Sequence, residues 1–516
     1  ESIIKPKIKS PFPEQDKIQY HQTVMKIKQI CIVSCLCGIW INTKAQIMEL
    51  TLERVIAIAQ DSSIQAFKAK NVYMSSYWAY RSFKAARLPS LMLDMTPMQY
   101  NRDFTSRYDS ENDLDVYRRQ QSLYSSARLS LEQNLDITGG TFYVDSELGY
   151  RRLFGETTYN QFSTIPIRIG YSQPVLGFNE FKWQKKIEPL KYEKAKKTLI
   201  SDLEQISVTS TQYFFNLAIA QINYDMAKDN VESTDTLYHI GRERQKITSI
   251  SQSDLLTLKL DAINAKNTLK NAEIELKRAM FSLISFLKLD QHSQIRIVLP
   301  DRPKNIVLSP ELALQYARKN NPDFLSNRQK LLEAQQEVEK TKRTSNLDAS
   351  FNASIGYNQV ASNFAGAYRK PLEQDIISIG IRIPLLDWGV RKGKANMARN
   401  NLNITKLTIE QQEQELEENI LMTVNDFNVQ QDLIISAEEA LSLANTVYET
   451  TKQRFMIGKA DINSLTLSLN RQTSARNNYI NALKQYWISY YTIRQQTLYD
   501  FRKQETLSII FEKITG

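Results

Sequence analysis

Apolar positions in the middle of the chain step alternately by three and four residues. Leu203, Ile206, Ser210, Tyr213, Leu217 and Ala220 begin one such run, which continues to Tyr238. A second run holds Leu255, Leu258, Ala262, Ala265, Leu269 and Ala272. A third, with Leu416, Ile420, Thr423 and Phe427, stands in the register of the first. A 3.5-residue period is the seam of a coiled coil, and the many small residues in it permit close helix approach. No Gly or Pro interrupts Leu190 to Ile240. A helix from about residue 185 to 247 would therefore run for some 60 residues and about 90 Å, too long to be wrapped in a globular core.

Elsewhere the period is two. Phe142, Val144, Leu148 and Tyr150 alternate with polar residues after the turn Thr138-Gly139-Gly140. Ile165, Ile167, Ile169 and Tyr171 continue the pattern, and so do Phe351, Ala353, Ile355 and Tyr357, then Ile377, Ile379, Ile381 and Ile383. These predict strands of about ten residues with one apolar face. They fit either a soluble sandwich or strands crossing a bilayer at a tilt. About four such strands per chain are expected. In a bilayer, Arg382 between the isoleucines and Arg168 in the matching strand would face a lumen, since Arg facing lipid at mid-bilayer costs about 2–4 kcal/mol.

The periods occur twice. Leu50-Thr51-Leu52-Glu53 and Leu308-Ser309-Pro310-Glu311 each open a short apolar helix. Further on an offset of 210 pairs Ile169-Gly170 with Ile379-Gly380, Pro174 with Pro384, Arg244 with Arg454, and Asn271-Ala272 with Asn481-Ala482. A tandem repeat follows, with a first copy at 46–300 (strands about 120–173, long helices about 185–289). The second is at 301–505 (strands about 347–384, long helices about 389–500), with a tail at 506–516. The first copy holds about 48 extra residues around 93–140, which fit a hairpin, a loop or a belt. Four bilayer-length strands cannot close a barrel, and an open edge is not tolerated in hydrocarbon. Chains would have to pool their strands, with the helices associating in the same ring.

Composition changes the picture in three ways. Only 15 Gly and 14 Pro in 516 residues means few turns and long elements. The longest apolar run, Ile30 to Ile41, is too short for a spanning helix. Together with Lys26, Lys28 and Thr43-Lys44-Ala45 it reads as a secretory signal at 25–45, leaving 1–24 as an upstream extension. Cys31, Cys35 and Cys37 all fall within it, so the exported chain would lack thiols. Ile32-Val33-Ser34-Cys35 has only the outline of a lipid-attachment box. Residues 1–46 contain seven Lys and three acidic residues, so the remainder carries +6 of the net +10. That scattered excess gives no nucleic-acid footprint. The remaining histidines, His239 and His292, come with no metal-ligand spacing, phosphate loop or nucleophile elbow. No enzyme, metal or cofactor is expected.

The order, spacing and duplication of these features resemble the TolC-type outer membrane efflux protein family across residues 47–505. The similarity is carried by Leu50 to Ala59 with Leu308 to Ala317, by Asn321-Pro322 and by Ala85-Ala86-Arg87-Leu88-Pro89. It is also carried by the strand-to-helix junctions at Pro174 and Pro384, and by the tips Arg244 to Leu256 and Arg454 to Leu465. The resemblance implies an α+β membrane protein: a homotrimer with a twelve-stranded outer-membrane β-barrel in lipid, continuous with a periplasmic helical barrel. It further implies docking to a periplasmic adaptor and an inner-membrane pump, as exit duct for small molecules or secreted proteins. Its tips imply adaptor contacts at Arg244, Lys246, Ser251, Asp254, Arg454, Gly458 and Lys459, and a gate at Phe455, Lys459, Asp461 and Ser464. The family's gate aspartates align with Ser464 and Leu467, so an acidic ring is not matched. Asp254 and Asp461 also read as plain helix caps. A coiled-coil stalk or adhesin with a small barrel anchor is the alternative to a conduit.

Overall fold

The computed structural model describes residues 48–154, 158–175, 177–246, 250–303, 305–344, 348–383, 385–509 and 511. The expected signal and extension (1–45), Pro384 and tip residues 247–249 lie outside them, as does most of the tail end. Strand β1 (Met48–Leu50) leads into helices α1 (Leu52–Ser62) and α2 (Ile64–Ala85). Strands β2 (Ser90–Asp109), β3 (Leu114–Asn134), β4 (Thr141–Phe154) and β5 (Tyr159–Pro174) follow. Helices α3 (Glu180–Lys246) and α4 (Gln252–Leu287) come next, then β6 (Ile295–Ile297), α5 (Pro310–Asn320) and α6 (Pro322–Thr344). The second half continues with β7 (Asp348–Ala361), the short α7 (Gly366–Arg369), β8 (Leu372–Arg382), α8 (Val390–Met456) and α9 (Ile462–Thr497). It closes with β9 (Tyr499–Asp500) and β10 (Glu505–Thr506).

The long helices come as two pairs of 67 and 36 residues, starting at 180 and 252 and again at 390 and 462. At 1.5 Å per residue the longer ones reach about 100 Å. Helix α3 packs on α4 and α9, and α9 on α8, so α4 and α8 form the flanks of an open layer. The 3.5-period seams face inward: Leu258, Ala262, Leu217, Phe427 and Ile434 are buried. A second stripe at multiples of seven stays exposed on each flank, with Leu260, Ile274 and Phe281 on α4 and Met422, Val429 and Leu443 on α8. Among the described residues no helix is long and apolar enough to cross a membrane.

The largest core lies partway along these rods, where the short helices dock. Leu52, Val55, Ile56 and Ala59 of α1 are buried at helical spacing and join Phe214, Phe215, Leu283, Leu287, Phe427 and Tyr486. Nearby, Arg494 ties three elements together. Its guanidinium donates to Glu204 of α3 at 2.9 Å and to Asp500 of β9 at 3.0 Å, with side chains 17, 7 and 2 % exposed. Burial raises the Glu204 carboxyl above its ordinary range despite Arg494. Burial also acts to raise Asp500, but hydrogen bonds from Tyr490 and the Lys503 and Arg502 backbone, with the Arg494 charge, bring it below its ordinary range.

The two carboxyls therefore act oppositely on stability. Folded Glu204 keeps its proton to higher pH than the unfolded chain, so its contribution declines as pH rises from its unfolded value through its folded one. The Asp500 contribution is present above its unfolded value and lost as pH falls through the depressed one. Glu204→Gln is expected to flatten the decline that sets in as pH rises above the ordinary carboxyl range and to leave the protein at least as stable at neutral pH. Thermal unfolding in detergent from that range up to neutral pH checks this. A variant with a lower melting temperature at pH 7 and an unchanged slope would refute it.

Six strands, not four, form one antiparallel sheet in the order β2-β3-β4-β5-β7-β8. The extra segment of the first copy is the hairpin β2–β3, so that copy's strands begin at Ser90 rather than near 120. Sequence alternation had obscured β2 because its parity breaks at Pro97. Leu91, Leu93 and Met95 share a face before the bulge between Thr96 and Gln99, and Met98, Tyr100 and Phe104 continue the alternation after it. A bulge absorbs one extra residue and restores the face.

Candidate functional site: an open wall with two helical tips

The sheet separates its faces by chemistry. Leu91, Leu131, Val144, Ile169 and Ile355 stand in one directly paired row, which ends on β8 at Asp375. The neighbouring residue on each strand faces the other way and is mostly polar. On that face Arg168 donates to both oxygens of Asp145 at 2.9 and 2.5 Å, and Arg128 donates to Glu147 at 2.9 and 2.6 Å. Asp145 is 4 % exposed. Arg168 thus lies on the polar face, paired rather than free, and Arg382 shares that parity opposite Asp348 at the sheet's end. The Arg128–Glu147 pair crosses from β3 to β4, so the extra hairpin continues the polar face as well as the apolar one.

Pro174 ends β5 opposite Ser350. The chain then enters α3, where the Asn179 side chain accepts from the Lys182 backbone at 3.0 Å and donates to the Asp136 carbonyl at 3.0 Å. At the second junction Gly389 has φ of +88°, which favours glycine. Trp183 is buried between α3 and α6 and donates to Glu339 at 3.1 Å, whereas Trp388 is 88 % exposed. Of the two junction tryptophans, the first is thus a packing residue and the second projects into open space.

The opposite ends of the rods carry the two tips. In the first, Ser251 and Asp254 form a reciprocal capping box at 3.1 and 3.2 Å, and Lys246 pairs with Glu243 at 2.8 Å. In the second, Gly458 adopts φ of +77° and its N–H reaches the Phe455 carbonyl at 3.0 Å, a left-handed helix stop. Asp461 caps α9, accepting from the Ser464 backbone at 2.7 Å and its hydroxyl at 3.0 Å. Those bonds, the backbone one foremost, lower its carboxyl. Both aspartates therefore serve as helix caps. Phe455 is buried against Tyr448 and Leu465, whereas Arg454 and Lys459 are exposed.

The structure joins the tips through a contact that sequence reasoning did not foresee. Arg244 donates to the carbonyls of Met456 at 2.7 Å and Phe455 at 3.3 Å, and its guanidinium lies 5.6 Å from the Phe455 ring centre. Both belong to the last turn of α8, at the negative pole of the helix, where carbonyls run out of intrahelical partners; the Phe455 carbonyl accepts from Gly458 N–H as well. Arg244 thus binds the first tip to the second within one chain. Among the described residues no cluster of His, Cys, Asp and Glu could hold a metal ion.

Residues 313–497 match the family model described as outer membrane efflux protein. That span runs from within α5 to the last residue of α9. No curated protein matches the chain. Among solved structures, the Campylobacter jejuni CmeC outer membrane channel has the same fold, with a TM-score of 0.63 at 14% identity over 90% of this chain and 88% of that one. The Vibrio cholerae outer membrane protein VceC aligns with a TM-score of 0.59 at 14% identity, over 87% of this chain and 95% of its own. The open-state Neisseria gonorrhoeae MtrE outer membrane channel gives a TM-score of 0.56 at 12% identity, over 86% and 88%. Residues 313–497 are thus similar to the outer membrane efflux protein family, and the chain shares its fold with outer membrane channels such as CmeC and MtrE.

Proposed function

We propose that three copies close into a continuous conduit, a β-barrel in the outer membrane leading into a helical barrel in the periplasm. It would serve as the exit duct for material delivered by a periplasmic adaptor and an inner-membrane pump. The observation that carries this is the doubly open wall. The helical layer exposes a heptad stripe on each flank, α4 and α8, and the sheet ends on two unpaired edges, β2 and β8. A ring satisfies all four at once, with α8 of one copy against α4 of the next. The tandem duplication accounts for the equal helix pairs. Arg454, Lys459 and Lys246 are exposed at the tips and suit docking to an adaptor, and the second tip is the gate.

Purified oligomers placed in planar bilayers should form large conductances, and deletion should sensitise cells to exported toxic compounds. Electrically silent oligomers together with unchanged tolerance would favour a stalk. Within this framework Arg244 is the latch. Hydrogen bonds to a charged donor are worth about 1.5–3 kcal/mol, reduced at a partly exposed tip to about 1 kcal/mol. Arg244→Ala should therefore raise resting open probability roughly five-fold, with Arg244→Lys intermediate. An unchanged resting current in single-channel records would remove Arg244 from gating.

A further inference from the structure

The extra hairpin gives the sheet two open edges, and the position of the apolar band says what they meet. The directly paired row that starts at Leu91, near the base of β2, reaches β8 at Asp375, whereas the apolar run on β8 lies below it at Ile377, Ile379 and Ile381. From Asp375 to the last isoleucines, Ile381 and Ile383, is six to eight residues. At about 3.3 Å per residue that is roughly 20–26 Å along the strands, across five spacings totalling about 24 Å. The band is therefore inclined by about 40–48°, close to the 35–45° tilt of barrel walls. All six strands share that incline, and the Arg128–Glu147 pair carries the polar face across onto β3.

Strand β2 carries one edge-blunting device, the bulge at Pro97, but its stretch below the bulge and the isoleucine run of β8 carry none of those that protect free edges. Between Ile376 and Ile381 strand β8 has no charge or proline, and Leu91 to Met95 of β2 carries only Asp94 on the polar face. The two edges run in opposite directions, since six strands alternate up and down. They can therefore join as an antiparallel pair with both faces in phase.

We propose that β2 of each copy pairs with β8 of the next, so that three copies close an eighteen-stranded barrel rather than the twelve-stranded one implied by resemblance. This rests on the three-copy conduit proposed above. With strands about 4.8 Å apart and tilted by about 40°, eighteen give a backbone diameter of about 36 Å and twelve about 24 Å. The hairpin is thus wall, and it widens the outer mouth by half. Its tip, beyond the apolar band, projects past the membrane surface.

Cysteine pairs in the full chain test this, with the single variants as controls. Leu93→Cys with Ile379→Cys, and Leu93→Cys with Ile381→Cys, cover the two registers the incline allows. Mild oxidation should shift either or both from one-chain to two- and three-chain mass. Val144→Cys with Ile379→Cys, which would report β8 closing on β4 in a twelve-stranded ring, should not shift. Conductance of the same material separates the wall from the channel. Conducting oligomers linked through Val144, or linked at neither site, would overturn the eighteen-stranded wall and leave the channel standing. Silent oligomers linked through Leu93 would support the wall and overturn the channel.

Discussion

Replacing Arg494 with methionine is expected to destabilise the protein by about 3–5 kcal/mol, because removing one partner of a buried ion cluster leaves the others uncompensated. Glu204 and Asp500 would remain in a site that excludes water, with Asp500 relying on Tyr490 and two backbone N–H groups. Glu204 is the weaker link, since its Oε2 already lacks a hydrogen-bond partner among the described residues. The loss should be read as a fall in melting temperature of the detergent-solubilised oligomer and as early protease cleavage near the C-terminal strands. Adding Glu204→Met to Arg494→Met should recover part of it, because an apolar replacement removes one of the stranded charges. A single variant within about 1 kcal/mol of wild type would mean that the cluster behaves as a solvent-exposed bridge.

Adjacent residues on β8 should respond in opposite ways to the same substitution. Ile379→Arg places a guanidinium on the apolar face, at a cost of about 2–4 kcal/mol per chain at mid-bilayer, and a closed ring of three incurs it three times. Ser378→Arg places it on the polar face, among groups already solvated or paired. The first should abolish heat-resistant oligomer in outer-membrane fractions, and the second should leave it intact while changing ion selectivity. Equal tolerance of both would mean that this face does not meet lipid.

The long rods and most of the sheet were legible because one period persisted over many residues. The 3.5 steps from Leu203 and Leu416 mark seams that are buried, and the isoleucines at 377, 379 and 381 mark one face of β8. Strand β2 was not legible, because the bulge at Pro97 shifts its apolar residues from odd to even positions and each half is too short to register alone. The tips were legible as caps and turns, since Asp461, Gly458 and the Ser251–Asp254 pair act within a few residues. Arg244 was legible as a tip residue, yet its partner carbonyls lie more than 200 residues away and carry no side-chain signature. The Arg494 cluster was hidden for the same reason. Its three members come from α3, α9 and β9, and an isolated Arg in a helix gives no hint of burial.

The pairing of β5 with β7, Phe162 beside Ala361 and Pro174 beside Ser350, also sets a timetable. Helices α3 to α6 emerge between those two strands, so the first four strands must wait while more than 170 further residues are made. A chain released early would hold four of the sheet's six strands, with the β7 side of β5 unpaired and no disulfide within residues 48–516 to pin it. Such fragments would be natural clients for holding factors and proteases. The second half thereby acts as a proof of completeness, and membrane entry becomes a late, all-or-nothing event.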